Sequence, residues 1–250
     1  LIPTVFIPKI ERNVVCISTQ VGCSVGCKFC NSGKVKFVRN LTCGEIIEQV
    51  MRIERNKING VLYMGMGEPF FNYTDVVKSI KILLDENMFG LAKRRITIST
   101  VGIVPNIYKL AEEKLKIKLA ISLHGANDEI RRELIPNFKY TIDEIIKSSV
   151  FYAKKTNTVV TIEYVLIENK NDSVSDMKQL VIILQNYSKD KKIYKINLIP
   201  YNYVNKCDYK KPNDNKIESL KNFLISNGFL TFIRKPYGTD INAACGQLGF

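Results

Sequence analysis

Four cysteines fall within fifteen residues in the stretch "CISTQVGCSVGCKFCNSG": Cys16, Cys23, Cys27 and Cys30. The last three are spaced C-x3-C-x2-C. Three thiolates at that spacing on one loop can hold three irons of a [4Fe–4S] cube and leave the fourth iron open for a ligand. Phe29, just before the third cysteine, adds an apolar wall against water. The competing reading is a zinc site, but a closed zinc site takes four ligands, commonly as paired C-x2-C or Cys/His elements. The single histidine, His124, lies far away in sequence. Ligand count and spacing favour the cluster. Cys16 remains open at this level, as a fourth ligand, a bystander or a residue with chemistry of its own.

Positioning such a loop requires a scaffold, and the hydrophobic pattern supplies one. Strand-like runs at 13–19, 60–66, 94–100, 117–124, 158–167, 194–202 and 230–235 alternate with amphipathic runs at 43–55, 74–86, 105–113, 127–135, 141–155, 175–187 and 215–228. Continuous apolar strands separated by helices predict a parallel α/β sheet. Six such units in one domain predict a partial (β/α)6 barrel rather than a complete eightfold one. Functional residues then belong at the C-terminal ends of strands. Gly67, Glu68, Ser99, Ser122, Leu123, His124 and Asn202 all follow or end one. No repeat, linker or low-complexity block divides residues 1–250.

The composition sets outer limits. There are 37 basic and 24 acidic residues, a net charge of +13. Such an excess favours an anionic partner, nucleic acid first. Coding bias towards Lys, Asn and Ile is the plainer alternative, and a lone basic loop is usually just solvated. Seven cysteines are an odd number, spaced unlike a secreted disulfide scaffold. No apolar run approaches the roughly 20 residues that span a bilayer. "LIPTVFIPKIERN" lacks the order of a signal peptide, and a start without Met reads as a fragment or a processed form.

C-x3-C-x-φ-C after the first strand of a partial α/β barrel resembles the signature of the radical S-adenosylmethionine (SAM) enzymes. "GMGEP" (65–69) is similar to their GGEP motif. Further stretches resemble one subgroup, the RlmN/Cfr-like RNA adenosine methyltransferases, in the family's order: "STQVGC", "RNLTCGEIIEQV", "MGMGEPFFNY", "RITISTVGIVP", "LAISLHGANDEIRRELIP", "NLIPYN" and "DINAACGQL". The resemblance implies a partial barrel whose [4Fe–4S] cluster is held by Cys23, Cys27 and Cys30. It implies SAM contacts at Gly67, Glu68, Ser99, Ser122, Leu123, His124 and Asn202, with Glu68 accepting from the SAM ammonium.

It also implies a mechanism. The target, C2 of an adenosine in large-subunit rRNA and in some members also tRNA, is an electron-poor amidine carbon that will not attack an electrophilic methyl. The family uses two SAM molecules per turnover. One methylates a cysteine thiolate, matched here by Cys245 in "AACGQL". The other yields a deoxyadenosyl radical that takes a hydrogen from the S-methyl group. The resulting radical adds to C2 as a covalent protein–RNA adduct. A second cysteine, matched by Cys16, resolves the adduct and ends in a disulfide with the first. Cys43 and Cys207 match no catalytic position.

The family's acidic residue thirteen positions before the resolving cysteine is here Pro3, so no general base is assigned. The family's N-terminal helical RNA-binding domain has no counterpart in this chain, and "KYT", "RRELIP" and "IRKPYG" stand as basic segments for RNA. The implied partners are RNA and a flavodoxin- or ferredoxin-type electron donor, with no membrane and a monomeric chain. The implied compartment is the cytoplasm for a bacterial source and an organelle for a eukaryotic one. Two alternatives remain: the C8-type resistance methyltransferases, and a non-enzymatic zinc-containing RNA-binding module.

Overall fold

The computed structural model describes residues 2–8, 13–54, 58–205 and 207–249. Strands β1 (Val5–Ile7) and β2 (Val14–Ile17) open the chain. A two-stranded ribbon follows, β3 (Gln20–Val21) with β4 (Arg39–Asn40), and the cysteine loop lies between its strands. The chain then alternates: α1 (Cys43–Met51), β5 (Gly60–Tyr63), α2 (Tyr73–Leu84), β6 (Ile96–Thr100), α3 (Val104–Glu112) and β7 (Lys118–Ser122). A helix pair follows, α4 (Asp128–Leu134) and α5 (Ile142–Thr156). The series ends with β8 (Val160–Leu166), α6 (Val174–Tyr187), β9 (Tyr194–Pro200), α7 (Asp214–Ser226) and β10 (Leu230–Ile233).

The main sheet has the order β1-β2-β5-β6-β7-β8-β9-β10. All its pairings are parallel except β1 with β2. Six strand–helix units and a closing strand make an open α/β barrel in one domain. The antiparallel β1 and the β3–β4 ribbon carry too few residues to show a period, which is why the sequence pattern does not reveal them. The expected helix at 43–55 ends at Met51, and its residue 55 lies outside the described residues. No described helix is long and apolar enough to cross a membrane.

Local chemistry fixes where the helices begin. Thr42 with Glu45, Thr141 with Glu144 and Ser173 with Asp176 each form a reciprocal capping box, which satisfies backbone donors that a helix start leaves without partners. Packing does the rest. Strand β8 is buried along its whole length, with Ile162, Tyr164 and Leu166 in the main core beneath the helices. Side chains alternate across a strand, so Glu163 and Val165 face the other way and line the barrel's inner cleft. Emptying one of the core positions, as in Ile162→Ala, costs about 2–5 kcal/mol. That rigid outer layer holds the inner face in register.

Candidate active site

The inner cleft encloses about 980 Å³ including its open mouth. Cys23, Cys27, Cys30, Gly67, Glu68, Ser99, Ser122, His124, Asn202 and Cys245 all line it. Cys16 opens instead onto a smaller adjoining cavity of about 640 Å³, which Cys30 and Cys245 also line. Leu123 faces away. Its side chain is in the core, its amide donates to the Glu163 carbonyl at 3.0 Å and its carbonyl accepts from Arg131.

The three loop cysteines are held by backbone rather than by one another. The Lys28 amide donates to the Leu134 carbonyl at 3.0 Å, and the Cys30 amide to the Cys27 carbonyl at 3.2 Å. Burial raises all three thiols. Cys23 is pushed up to about 11, with Cys30 and Glu68 adding to the effect, and Cys27 is raised further by Cys30 and Cys23. Three half-buried thiols that repel one another once ionised need a compensating cation, and soft sulfur donors suit iron–sulfur or zinc centres. The three thiols line one cleft, and such a set of soft sulfur donors fits an iron–sulfur centre.

Beside them, the GMGEP turn is shaped by steric necessity. Gly67 has φ +102°, and a Cβ there would stand 2.6 Å from the Gln20 side chain, so no side chain fits. The turn delivers Glu68, which is almost fully buried. Its carboxylate accepts from the Phe70 amide at 3.0 Å and the Val101 amide at 2.8 Å. Burial raises it to about 7 against those hydrogen bonds. A carboxylate poised there favours a bound ammonium. Ser99 and Ser122 share a hydroxyl–hydroxyl bond of 3.1 Å.

His124 sits in the left-handed region at φ +59°, a conformation that costs a non-glycine residue energy and tends to collect at functional sites. Its Nδ1 accepts from the Val165 amide at 3.0 Å, so the proton belongs on Nε2. Burial first, then Arg131, lowers its pKa to about 3, and the ring stays neutral. Phe29 meets it edge-on, with ring centroids 4.8 Å apart.

The segment carrying Cys245 is laced onto the cysteine loop. The Asn31 amide donates to the Gly246 carbonyl at 2.7 Å, Asn31 Nδ2 to the Gln247 carbonyl at 2.9 Å, and Ser32 Oγ to the Leu248 carbonyl at 2.6 Å. Asn202 Nδ2 donates to the Cys245 carbonyl at 2.9 Å, so its amide positions the thiol's backbone. Cys245 is exposed and Cys16 buried. Pro3, at the family's acidic position, contributes only its carbonyl, which accepts from Ser18 Oγ at 2.6 Å.

Two basic residues read as RNA contacts take other parts. Arg131 is fully buried. It donates to the carbonyls of Ser122, Leu123 and Val101 and lies over the Phe138 ring at 4.1 Å. It therefore ties together the ends of β6 and β7. Arg234 lines both cavities and pairs with Glu163 at 3.5 Å. The signal for Glu163 was present in the sequence, as a lone acid inside the apolar strand "TVVTIEYVLI". Nothing local marked its partner.

The model of the Radical SAM superfamily matches residues 17–181. A dual-specificity RNA methyltransferase RlmN of Francisella tularensis subsp. novicida is 43% identical over 99% of this chain and 69% of its own length. An RlmN homologue from a Thermotoga species is 50% identical over 95% of this chain and 69% of its own. This chain belongs to the RlmN family of radical SAM RNA methyltransferases. The crystal structure of a radical SAM methyltransferase from Sphaerobacter thermophilus superposes with a TM-score of 0.93 at 39% identity, covering 98% of this chain and 73% of that one. The family's chemistry implies a [4Fe–4S] cluster and SAM.

Proposed function

We propose that the protein methylates C2 of an adenosine in large-subunit rRNA, and also in tRNA, through a cysteine that carries the methyl group. The observation that supports this most is the meeting of Cys16 and Cys245. They are far apart in sequence, yet both line one cavity beside the cysteine loop. Cys23, Cys27 and Cys30 hold the [4Fe–4S] cluster. Gly67, Glu68, Ser99, Ser122, His124 and Asn202 surround SAM, with Leu123 fixing the turn between two of them. Held there, a cluster would, with SAM bound and an electron supplied, give the site the chemistry of hydrogen-atom abstraction. Two SAM molecules serve each turnover, one as methyl donor and one as radical source.

The chain's own residues account for the rest. The exposed Cys245 thiol can accept a methyl group and reach an entering base. Glu68 holds the ammonium end of SAM once ionised. Neutral His124 supplies a donor and an apolar face without adding charge beside the cluster. Cys16, outside the C-x3-C-x2-C set and lining one cavity with Cys245, is free to form a disulfide with Cys245 when the product is released. A fourth thiolate on the cluster would close the site that SAM needs. Residues 1–250 form the catalytic domain, working as a monomer with a flavodoxin- or ferredoxin-type donor, in the cytoplasm of a bacterium or in an organelle of a eukaryote.

The test is anaerobic reconstitution, reaction with unmodified rRNA and tRNA transcripts, and mass spectrometry of the digested nucleosides. 2-Methyladenosine is expected. 8-Methyladenosine alone would sink the C2 assignment, and a colourless protein that holds zinc and never cleaves SAM would sink the radical reading.

A further inference from the structure

A cation lines the cavity that Cys16 and Cys245 share. Arg234 directly follows β10, and its amide donates to the Leu198 carbonyl at 2.8 Å. Its side chain is 23% exposed and turns inward. There it meets Glu163 Oε2 at 3.5 Å and the Met64 sulfur at 3.6 Å from both terminal nitrogens. Glu163 is itself fixed, since its Oε1 accepts from Asn197 Nδ2 at 3.0 Å. The guanidinium is thus braced from β8 and β9 and borders the cavity shared by Cys16 and Cys245.

We propose that Arg234 is a positioning residue for the thiol exchange, holding negative charge at the Cys16 sulfur while that sulfur bonds to Cys245. This rests on the proposed pairing of the two cysteines. The step balances without an outside oxidant. The Cys16 thiolate attacks the Cys245 sulfur, and the bond between that sulfur and the RNA-borne methylene carbon breaks. The bonding pair goes to that carbon, which takes up a proton and becomes a methyl group, and the two sulfurs remain as a disulfide.

Cys16 needs such help because its surroundings oppose ionisation. Strand β1 presents only Val5 and Ile7 to the cavity, and the chain beyond β5 presents Met64 and Gly65. The cysteine loop contributes Cys30 and Ser32, the C-terminal segment Cys245, and the chain beyond β10 Arg234, Lys235 and Tyr237. Burial pushes the Cys16 thiol up to about 12, with Cys245 adding to it. Arg234 and the Met64 backbone act the other way. The effect is reciprocal. Burial works against the guanidinium, but Cys245, Glu163 and Cys16 outweigh it and keep Arg234 charged. Lys235 borders the same cavity, yet Arg234 is the cation acting on Cys16.

The experiment uses the cluster-loaded protein and needs no RNA. An aromatic disulfide reagent such as dithionitrobenzoate caps the exposed Cys245, and attack by Cys16 then releases a second coloured thiolate. Its rate is followed against pH, and the Cys16–Cys245 disulfide is quantified by peptide mass spectrometry. Between about pH 7 and 9, where the Cys16 thiol is mostly protonated, Arg234→Gln should slow the second release about tenfold at each pH. Arg234→Lys should restore the wild-type rate. A Gln variant that releases as fast as wild type across that range overturns the proposal. A wild-type protein whose Cys16→Ala variant shows the same second release overturns both this assignment and the pairing. Thiol exchange as expected with no methylated RNA overturns the proposed function and leaves Arg234 in its role.

Discussion

At the β5–β7 end of the cleft Glu68, His124 and Arg131 are buried and tied to backbone. Two amides grip the Glu68 carboxylate, the Val165 amide fixes His124, and Arg131 binds three carbonyls around them. At the opposite end, Cys245 is exposed, and half-buried or surface hydrogen bonds hold its segment to Asn31, Ser32 and Asn202. The first end is arranged before any ligand arrives, as a site that must present fixed donors requires. On the proposed mechanism, the second is a strap that would admit a methyl group, then a base, then a second sulfur. The buried, backbone-tied groups would then lie where SAM is oriented, and the exposed strap where covalent bonds are exchanged.

Breaking the strap end chemically has the largest expected effect. Cys245→Ala should abolish RNA methylation while cleavage of SAM to deoxyadenosine continues, read by chromatography of the two products. Loss of both, with the cluster's absorption intact, would count against the assigned role.

Breaking the rigid end should produce a graded, pH-dependent loss. The Glu68 carboxyl titrates near 7, so affinity for the SAM ammonium should rise as pH rises through 7 and fall about tenfold per unit below it. Glu68→Gln should flatten that profile in a calorimetric titration, and a profile identical to wild type would remove Glu68 from the site. The variant should also lose about 1–3 kcal/mol of stability, because an amide nitrogen cannot accept from Phe70 or Val101. Without ligand the same carboxyl binds its proton more tightly folded than unfolded. Its stabilising contribution is therefore complete below 4.5 and is lost as pH rises to about 7.

The smallest effect sharpens the contrast. Ser32→Ala removes the bond to the Leu248 carbonyl and should cost about 1 kcal/mol locally. Amide exchange over 245–248 should quicken about fivefold, while the amides of Val101 and Val165 stay unchanged. Equal acceleration at both ends would erase the distinction.

Much of this was legible in the residues. The spacing of Cys23, Cys27 and Cys30 and the turn at Gly67 with Glu68 are local patterns, and the strand–helix alternation followed from hydrophobic period. What escaped is what depends on three dimensions. "RRELIP" and "IRKPYG" look like surface basic loops, yet Arg131 is sealed in the interior and Arg234 is turned towards two thiols. Whether an arginine is solvated or buried depends on which carbonyls and acids the fold brings around it, and those partners lie tens of residues away. Leu123 was expected at the site for the same reason. A strand end places neighbours on opposite faces, and only the register shows which one turns inward.

The lacing between the cysteine loop and the Cys245 segment also has a meaning in time. These contacts join residues 216 apart in sequence, and contacts of such span form late because the loop they close is long. During synthesis the cysteine loop and most of the sheet emerge well before their closing partner. On the proposed mechanism, a growing chain can therefore order its cysteine loop before the thiol that would carry a methyl group has emerged. The strap closes onto a barrel that is already in place.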